Sequence, residues 1–380
     1  MQNYRFPILF FLGLISLALL PTSNAVGFIC DGVTPQDVQI NAALAAGGDV
    51  RLPVGTCIIS NTLTIPNYVN GVSRSSLHGA GFTATTIQVS SGFSAAQMII
   101  VNGTTTIGDL NLNGLGKNTW GIRNATTIGN IPSIFKSLSF VSFAGTGGGF
   151  INDGVGAVYN ISDSFFNSTN IAIYNADWGT SSIISHNNVL GGQGFLITNS
   201  GHSDEGIVVD GNQVIGAIRF DHCLQCVVSN NIVDGAAGTY SLNITGGSLY
   251  KVTNNWFGKG ANAANSSELF FSGNTFPDGY PAIFDFTSNV QFADNILQNP
   301  ICSQNCSAGQ SLFILDSSNI QVHHNSLQGI RGAVYAGGNT HLLVEGNTFG
   351  ATCDRTGPMT FVFNSGGTNC GNSLSYPTSW

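Results

Sequence analysis

Polar positions recur along this chain as regularly as apolar ones. From residue 184 onward one short pattern repeats: an apolar residue, two variable positions, Asn, one variable position, and a second apolar residue. It runs through Ile184/Asn187/Val189, Val209/Asn212/Val214, Val228/Asn231/Val233 and Val252/Asn255/Phe257. It continues through Phe271/Asn274/Phe276, Phe292/Asn295/Leu297, Val322/Asn325/Leu327 and Val344/Asn347/Phe349. Three degenerate copies precede these at 107–112, 138–143 and 161–166, with Leu110, Val141 and Ser164 in the Asn slot. Successive copies start 19 to 31 residues apart, a period that marks a repeat architecture.

Between the Asn slots, apolar residues alternate with polar or small ones inside clusters of Gly, Asn, Asp and Ser, which is the pattern of short strands. The repeat from Ala217 shows it: Ile218 to Asp221, a break at 222–225, Val227-Val228, a bend at Asn231, then Ile232-Val233. Three short strands per repeat predict an all-β fold, a parallel β-helix whose coils stack about 4.8 Å apart. Equivalent Asn side chains would then form one buried column bonded to neighbouring coils. Asn also tolerates the left-handed conformation that such a bend demands. Phe220, Phe284 and Phe286 fall on the core-facing alternation, where rings stack inside the coil. His186 and His324 precede ladder Asn residues, a slot held elsewhere by Gly211, Gly273 or Asp294, and read as turn residues.

The ends break the pattern. Thr34-Pro35 reads as a helix start, with Thr34 as N-cap and Pro35 at the first helical position. The helix then spans 35–46 and stops at Gly47-Gly48, where it would cap the open first coil. Further upstream, Arg5, the apolar stretch 7–20 and Ser23-Asn24-Ala25 have the form of a secretory signal peptide cleaved after Ala25. That apolar run is shorter than the ~20 residues a membrane span needs. The expected organisation is a signal peptide (1–25), an N-terminal cap (26–57), a β-helix (58–350) and a C-terminal cap (351–380).

Eight Cys fit an exported protein with disulfides. They fall into local couples, Cys30 with Cys57, Cys223 with Cys226, Cys302 with Cys306 and Cys353 with Cys370, although spacing alone leaves connectivity open. Sequons at Asn102, Asn124, Asn160, Asn167, Asn243, Asn265 and Asn305 would carry glycans if the host secretes through an endoplasmic reticulum. A net charge of −8 without a basic stripe argues against nucleic acid as partner. The expectation is a secreted monomer, free of the membrane once its leader is removed.

The opening segment carries a resemblance. Asp31-Gly32-Val33-Thr34, then Gly47-Gly48-Asp49-Val50-Arg51-Leu52-Pro53-Val54-Gly55-Thr56, then Leu77-His78-Gly79-Ala80-Gly81, resemble the start of pectate lyase superfamily (pectin-lyase-like) proteins. The resemblance covers residues 30–350. It implies a single-stranded right-handed parallel β-helix and a polysaccharide partner, and it leaves the reaction open. The polygalacturonase signatures survive only as echoes at Asn175-Ala-Asp177, Asp204-Glu205, Gly201-His202-Ser203 and Arg219, out of order and without the final Arg-x-Lys. The Asp-Pro-His-Glu signature of alginate epimerases and the Arg-x-Pro-x-x-Arg stretch of Ca-dependent pectate lyases are missing.

Charged residues make up only 8% of the chain, so their concentration between 174 and 222 draws attention. Alternation turns Arg219 and Asp221 outward, with Asn175 and Asn199 expected at the equivalent strand end of earlier coils. Glycoside hydrolysis needs two carboxyl groups about 5–5.5 Å apart for retention or roughly 6.5–9.5 Å for inversion, spacings that stacked coils supply. The candidate catalytic residues are Asp204, Glu205, Asp221 and Asp177, with Asp204 or Glu205 paired with Asp221. The candidate substrate contacts are Trp178 as a sugar platform, His202, Arg219 as a uronate clamp, and His222. The bland reading of the same residues is solvated turns. No metal site or cofactor is expected, save Ca²⁺ if the reaction is a lyase elimination. The expected function is an extracellular polysaccharide-active enzyme, a glycosidase or polysaccharide lyase. The alternative is a non-catalytic secreted β-helix that binds glycans or adheres to surfaces.

Overall fold

The structure, a computed structural model, describes residues 27–68, 73–127, 131–167, 169–176, 179–198, 204–235, 239–298, 311–328, 334–350 and 362–363. The signal peptide, the expected C-terminal cap apart from 362–363, and the Cys302/Cys306 and Cys353/Cys370 couples lie outside these residues. Val362–Phe363, expected in the cap, continues the β-helix as a strand paired with Val334–Gly337.

Short strands wind into one continuous sheet with three faces. The first face runs from Gly48–Arg51 to Thr340–Glu345, the second from Gly55–Ile59 to Thr348–Gly350, and the third from Leu63–Ile65 to Val362–Phe363. Strands one coil apart pair in parallel on each face. This is the expected parallel β-helix. Coil-to-coil register holds like residues above like: Val209, Val228, Val252, Phe271, Phe292, Val322 and Val344 form one inward column, and all are buried. Rings fill the bore, with Phe140 and Phe166 stacked at 4.6 Å and Phe271 edge-on to Phe284 at 5.2 Å. Phe220 and Phe284 are buried as expected, but Phe286 is 60% exposed. The strand Ala282–Asp285 ends one residue earlier, and Phe286 takes a left-handed φ of 49° that turns it outward.

The Asn column forms as the repeat predicts. Asn212 donates from Nδ2 to Asn231 Oδ1 at 2.9 Å and to Ile184 O at 3.0 Å. The Asn231 Oδ1 also accepts the Asn212 backbone N–H at 2.9 Å. The same bonds repeat through Asn255, Asn274, Asn295, Asn325 and Asn347, and Asn187 donates to Asn212 at 3.0 Å. Ser164 extends the line by one coil, its N–H donating to Asn187 Oδ1 at 3.1 Å. The left-handed residue is not the Asn itself. It is the residue before it: His186 (φ 54°), Asn230 (56°), Asn254 (57°), Asp294 (56°) and His324 (57°), or glycine. That leaves each ladder Asn free to aim its amide along the stack.

The N-terminal helix spans Asp37–Ala46, not 35–46, and its N-cap is Gln36. Thr34 and Pro35 belong instead to a strand, Asp31–Pro35, which pairs with Gly55–Ile59. Thr34 stands three residues before the first helical residue, Asp37, with its hydroxyl donating to Asp31 Oδ2 at 2.9 Å, so it is too far back to occupy the N-cap. Burial of Ile40 and Leu44 seats the helix on the core. Asn41 ties it to the first third-face strand by donating to Thr62 O (3.0 Å) and accepting Thr64 N–H (2.8 Å). Disulfides join Cys30 to Cys57 and Cys223 to Cys226.

Candidate functional site

On the third face, inward positions are filled by Phe150, Ile173, Phe195, Ile218 and Leu242, so the alternate positions must face out. Successive coils stack these outward residues in the order Arg123, Ile151, Tyr174, Leu196, Arg219, Asn243, Asn262. Arg123 is clamped by Asp153, with Nε 2.8 Å and 3.1 Å from the two carboxylate oxygens and Nη2 2.7 Å from Oδ2. Beside it the Trp120 and Tyr174 rings lie 6.0 Å apart, tilted by 31°. Gly148 occupies the coil between them, and a Cβ there would come 2.5 Å from the Trp120 ring. Tyr174 Oη meets Thr198 Oγ1 at 3.4 Å, and Arg219 Nη1 donates to Gln193 Oε1 at 3.3 Å. The result is a half-buried aromatic pair beside a held guanidinium, with amides further along the same face.

Arg219 and Asp221 face outward as alternation requires, while Ile218 and Phe220 are buried. Asp221 Oδ1 lies 2.5 Å from His222 Nδ1, and both side chains are open to solvent. His222 takes a left-handed φ of 60° at the end of its strand. Glu205 is exposed and forms a bridge to Thr180 on one side and Leu224 on the other.

Asp204 differs. It has no exposed surface. Its Oδ1 accepts Asn175 Nδ2 at 2.8 Å and the Gly179 N–H at 2.9 Å. Asn175 accepts from Asn152 at 2.9 Å, and Asn152 from Asn124 at 2.8 Å. Asp204 therefore belongs to a second, shorter amide ladder, at the corner between the third and first faces. An inner acceptor of this kind satisfies buried donors, and it does not share a solvent-facing space with Asp221. Asn175 pairs with Ile197 rather than with Asn199. Asn199, Asp177, Trp178 and His202 lie outside the described residues.

Sequence reasoning missed Trp120, Tyr174 and the Arg123–Asp153 pair because they lie in the degenerate repeats. Tyr174 could have been found by counting two coils back from Arg219. Among the described residues, no three His, Cys, Asp or Glu side chains gather as a metal site would require, and no helix is long and apolar enough to cross a membrane.

No protein-family model matches the sequence, and no curated protein matches it either. Solved structures do match. The A-module of mannuronan C-5 epimerase AlgE4 from Azotobacter vinelandii superposes with a TM-score of 0.50 at 16% identity, covering 91% of this chain and 98% of that one. The surface protein and adhesin PfbA of Streptococcus pneumoniae gives 0.53 at 14% identity, covering 86% and 96%. The pre-mature gene product 12 of bacteriophage phi29 gives 0.53 at 14%, covering 88% of this chain and 57% of that one. At such identities the likeness is one of fold. The chain is a right-handed parallel β-helix protein of the pectate-lyase-like architecture.

Proposed function

We propose that this protein is an extracellular polysaccharide-active protein that holds its glycan along the third face. The observation that carries the reading is the outward column there: the Trp120 and Tyr174 rings 6.0 Å apart beside the clamped Arg123. Aromatic rings offer flat apolar platforms for sugar faces, and a guanidinium matches the carboxylate of a uronate. Coils repeating every ~4.8 Å lay such contacts along a line, which suits an extended polymer. Export by the N-terminal leader, the disulfides and glycosylation belong to the same reading, as does the helix Asp37–Ala46 as lid of the first coil. The sequon at Asn124 is excluded from glycosylation, because that side chain is fully buried and bonded to Asn152.

The reaction is that of an enzyme, a glycosidase or a lyase. A non-catalytic glycan-binding protein is the second reading, favoured by one observation: Asp204 is sealed in an amide ladder, which separates it from Asp221. Affinity electrophoresis against a polysaccharide panel tests the face. Trp120→Ala and Tyr174→Ala should each weaken binding about threefold to tenfold, the worth of one aromatic contact. Full retention of affinity in both variants overturns the placement. Assays of reducing ends and of unsaturated-uronate absorbance on the same panel separate hydrolase, lyase and binding protein.

A further inference from the structure

Past Arg219 the outward column of the third face changes character. Asn243 and Asn262 follow it, then Ile283 and Phe313. In the coil of Ile283 three outward positions cross the width of the face: Tyr280 where the chain enters it, Ile283 in the middle and Phe286 where the chain leaves. One coil earlier the same places hold Lys259, Asn262 and Asn265. Tyr280 and Phe286 are exposed, and Ile283 and Phe313 are half-buried. Lys259 Nζ stands 5.2 Å from the centre of the Tyr280 ring. Phe286 is out of place by backbone. Its slot turns the third face into the first with a left-handed residue in six successive coils: His222, Gly246, Asn265, Phe286, Asp316 and Gly338, with φ between 46° and 70°. Gly adopts that conformation without steric cost, and His, Asn and Asp are enriched in it, whereas a bulky aromatic is an outlier there. The ring is also open to solvent, so neither the backbone nor the core gains from a phenyl group at this place. Outliers of this kind gather where ligands are held.

The size and rim of this band decide what it suits. It is one coil deep, or two with Phe313, which is about 10 Å. Polar groups bound it: Lys259, Asn262 and Asn265 on one side, Asp285 at its edge and Asp316 beyond. A stable protein interface takes about 800 Å² from each partner, with a broad apolar centre, and so narrow a band does not supply it. A sugar ring is apolar on its face and polar at its edge, and it matches an aromatic platform with an amide and carboxylate rim. The geometry points to Tyr280, Ile283 and Phe286 as a second sugar platform, so that the glycan is held at two points along the third face. The inference rests on the glycan reading above and deepens it. Tyr174, in the first platform, lies five coils before Ile283, about 24 Å away. Leu196, Arg219, Asn243 and Asn262 line the path between them. A polymer long enough to reach both platforms makes its second contact intramolecularly, whereas a short oligomer holds one. Affinity therefore steps up with chain length.

The test uses the full chain with polygalacturonate, alginate and xylan, and with length-fractionated oligomers of whichever polymer binds. Phe286→Asn puts a residue that accepts the left-handed backbone in that slot, so its thermal transition should hold or rise. Its affinity for the polymer should fall about threefold to tenfold, the worth of one aromatic contact. Phe286→Tyr keeps a ring face and should keep the affinity. Oligomers too short to span ~24 Å, seated at the guanidinium end, should bind wild type and Phe286→Asn alike. Undiminished polymer affinity in Phe286→Asn, beside the loss expected of Trp120→Ala, overturns the second platform and leaves the glycan reading standing. Equal losses for short and long chains overturn the two-point hold. Self-association in sedimentation that Phe286→Asn abolishes, with glycan affinity unchanged, gives the band to a second copy and overturns the proposal. A wild type that binds no glycan overturns both readings.

Discussion

Two corners of this β-helix use the same chemistry with different visibility. At the corner between the first and second faces, an amide ladder runs unbroken from Asn187 to Asn347. At the corner between the third and first faces, a shorter ladder runs from Asn124 through Asn152 and Asn175 to the carboxylate of Asp204. In both, a side-chain amide donates to the oxygen one coil on. Only the long ladder repeats in a fixed frame with apolar residues on either side. The short one is spread over coils of unequal length, and one member has changed chemical type. A carboxylate recruited as a structural acceptor looks, in sequence, like an acid available for catalysis.

The long ladder gives the largest expected effect. Asn231→Leu removes the acceptor of the Asn212 N–H and Nδ2 and the donor to Val209 O, Ser229 O and Asn255 Oδ1. Several buried partners are stranded together, so we expect a loss of roughly 3–5 kcal/mol in urea unfolding. A loss below about 1 kcal/mol would show that neighbouring coils re-satisfy these groups, and the ladder would then be ornament.

The short ladder comes next. Asp204→Ala removes an acceptor of Asn175 Nδ2 and of the Gly179 N–H and should cost about 2–3 kcal/mol. Asp204→Asn keeps an oxygen acceptor at that place and should recover most of the loss. If Asp204→Ala left stability unchanged while abolishing turnover, the two corners would no longer be alike, and the catalytic assignment of Asp204 would return.

These cases show what was legible. The β-helix, its three strands per coil and the Asn187–Asn347 column follow from residues whose spacing is itself the signal. The disulfides Cys30–Cys57 and Cys223–Cys226 were legible too, as near neighbours in the chain. The helix start was not. A strand pairing with Gly55–Ile59 draws Thr34 and Pro35 away from the helix. The surroundings of the candidate acids were not legible either. Asp204 and Asp221 are close in number yet face inward and outward. Charge density along the chain does not tell an inward carboxylate from an outward one.

The smallest expected effect tests how far the short ladder reaches. Tyr159 and Tyr250 enter the first face at the same position of their coils. Both rings are buried, and the pKa of each hydroxyl is raised, first by burial and in part by the charge of Asp204. Their bonding differs. Tyr250 Oη accepts the Cys223 N–H at 2.9 Å and donates to Gly246 O at 3.1 Å, so Tyr250→Phe should cost about 1–2 kcal/mol in thermal unfolding. Tyr159 Oη has no hydrogen-bond partner among the described residues. Tyr159→Phe therefore loses no bond and relieves a buried hydroxyl, and its stability should stay within about 0.5 kcal/mol of wild type or rise slightly. A loss above about 1 kcal/mol would mean that a bridging water joins this phenol to its surroundings. With Asp204 as the charge it senses, the short ladder would then reach past its carboxylate into the bore, as the long ladder does not.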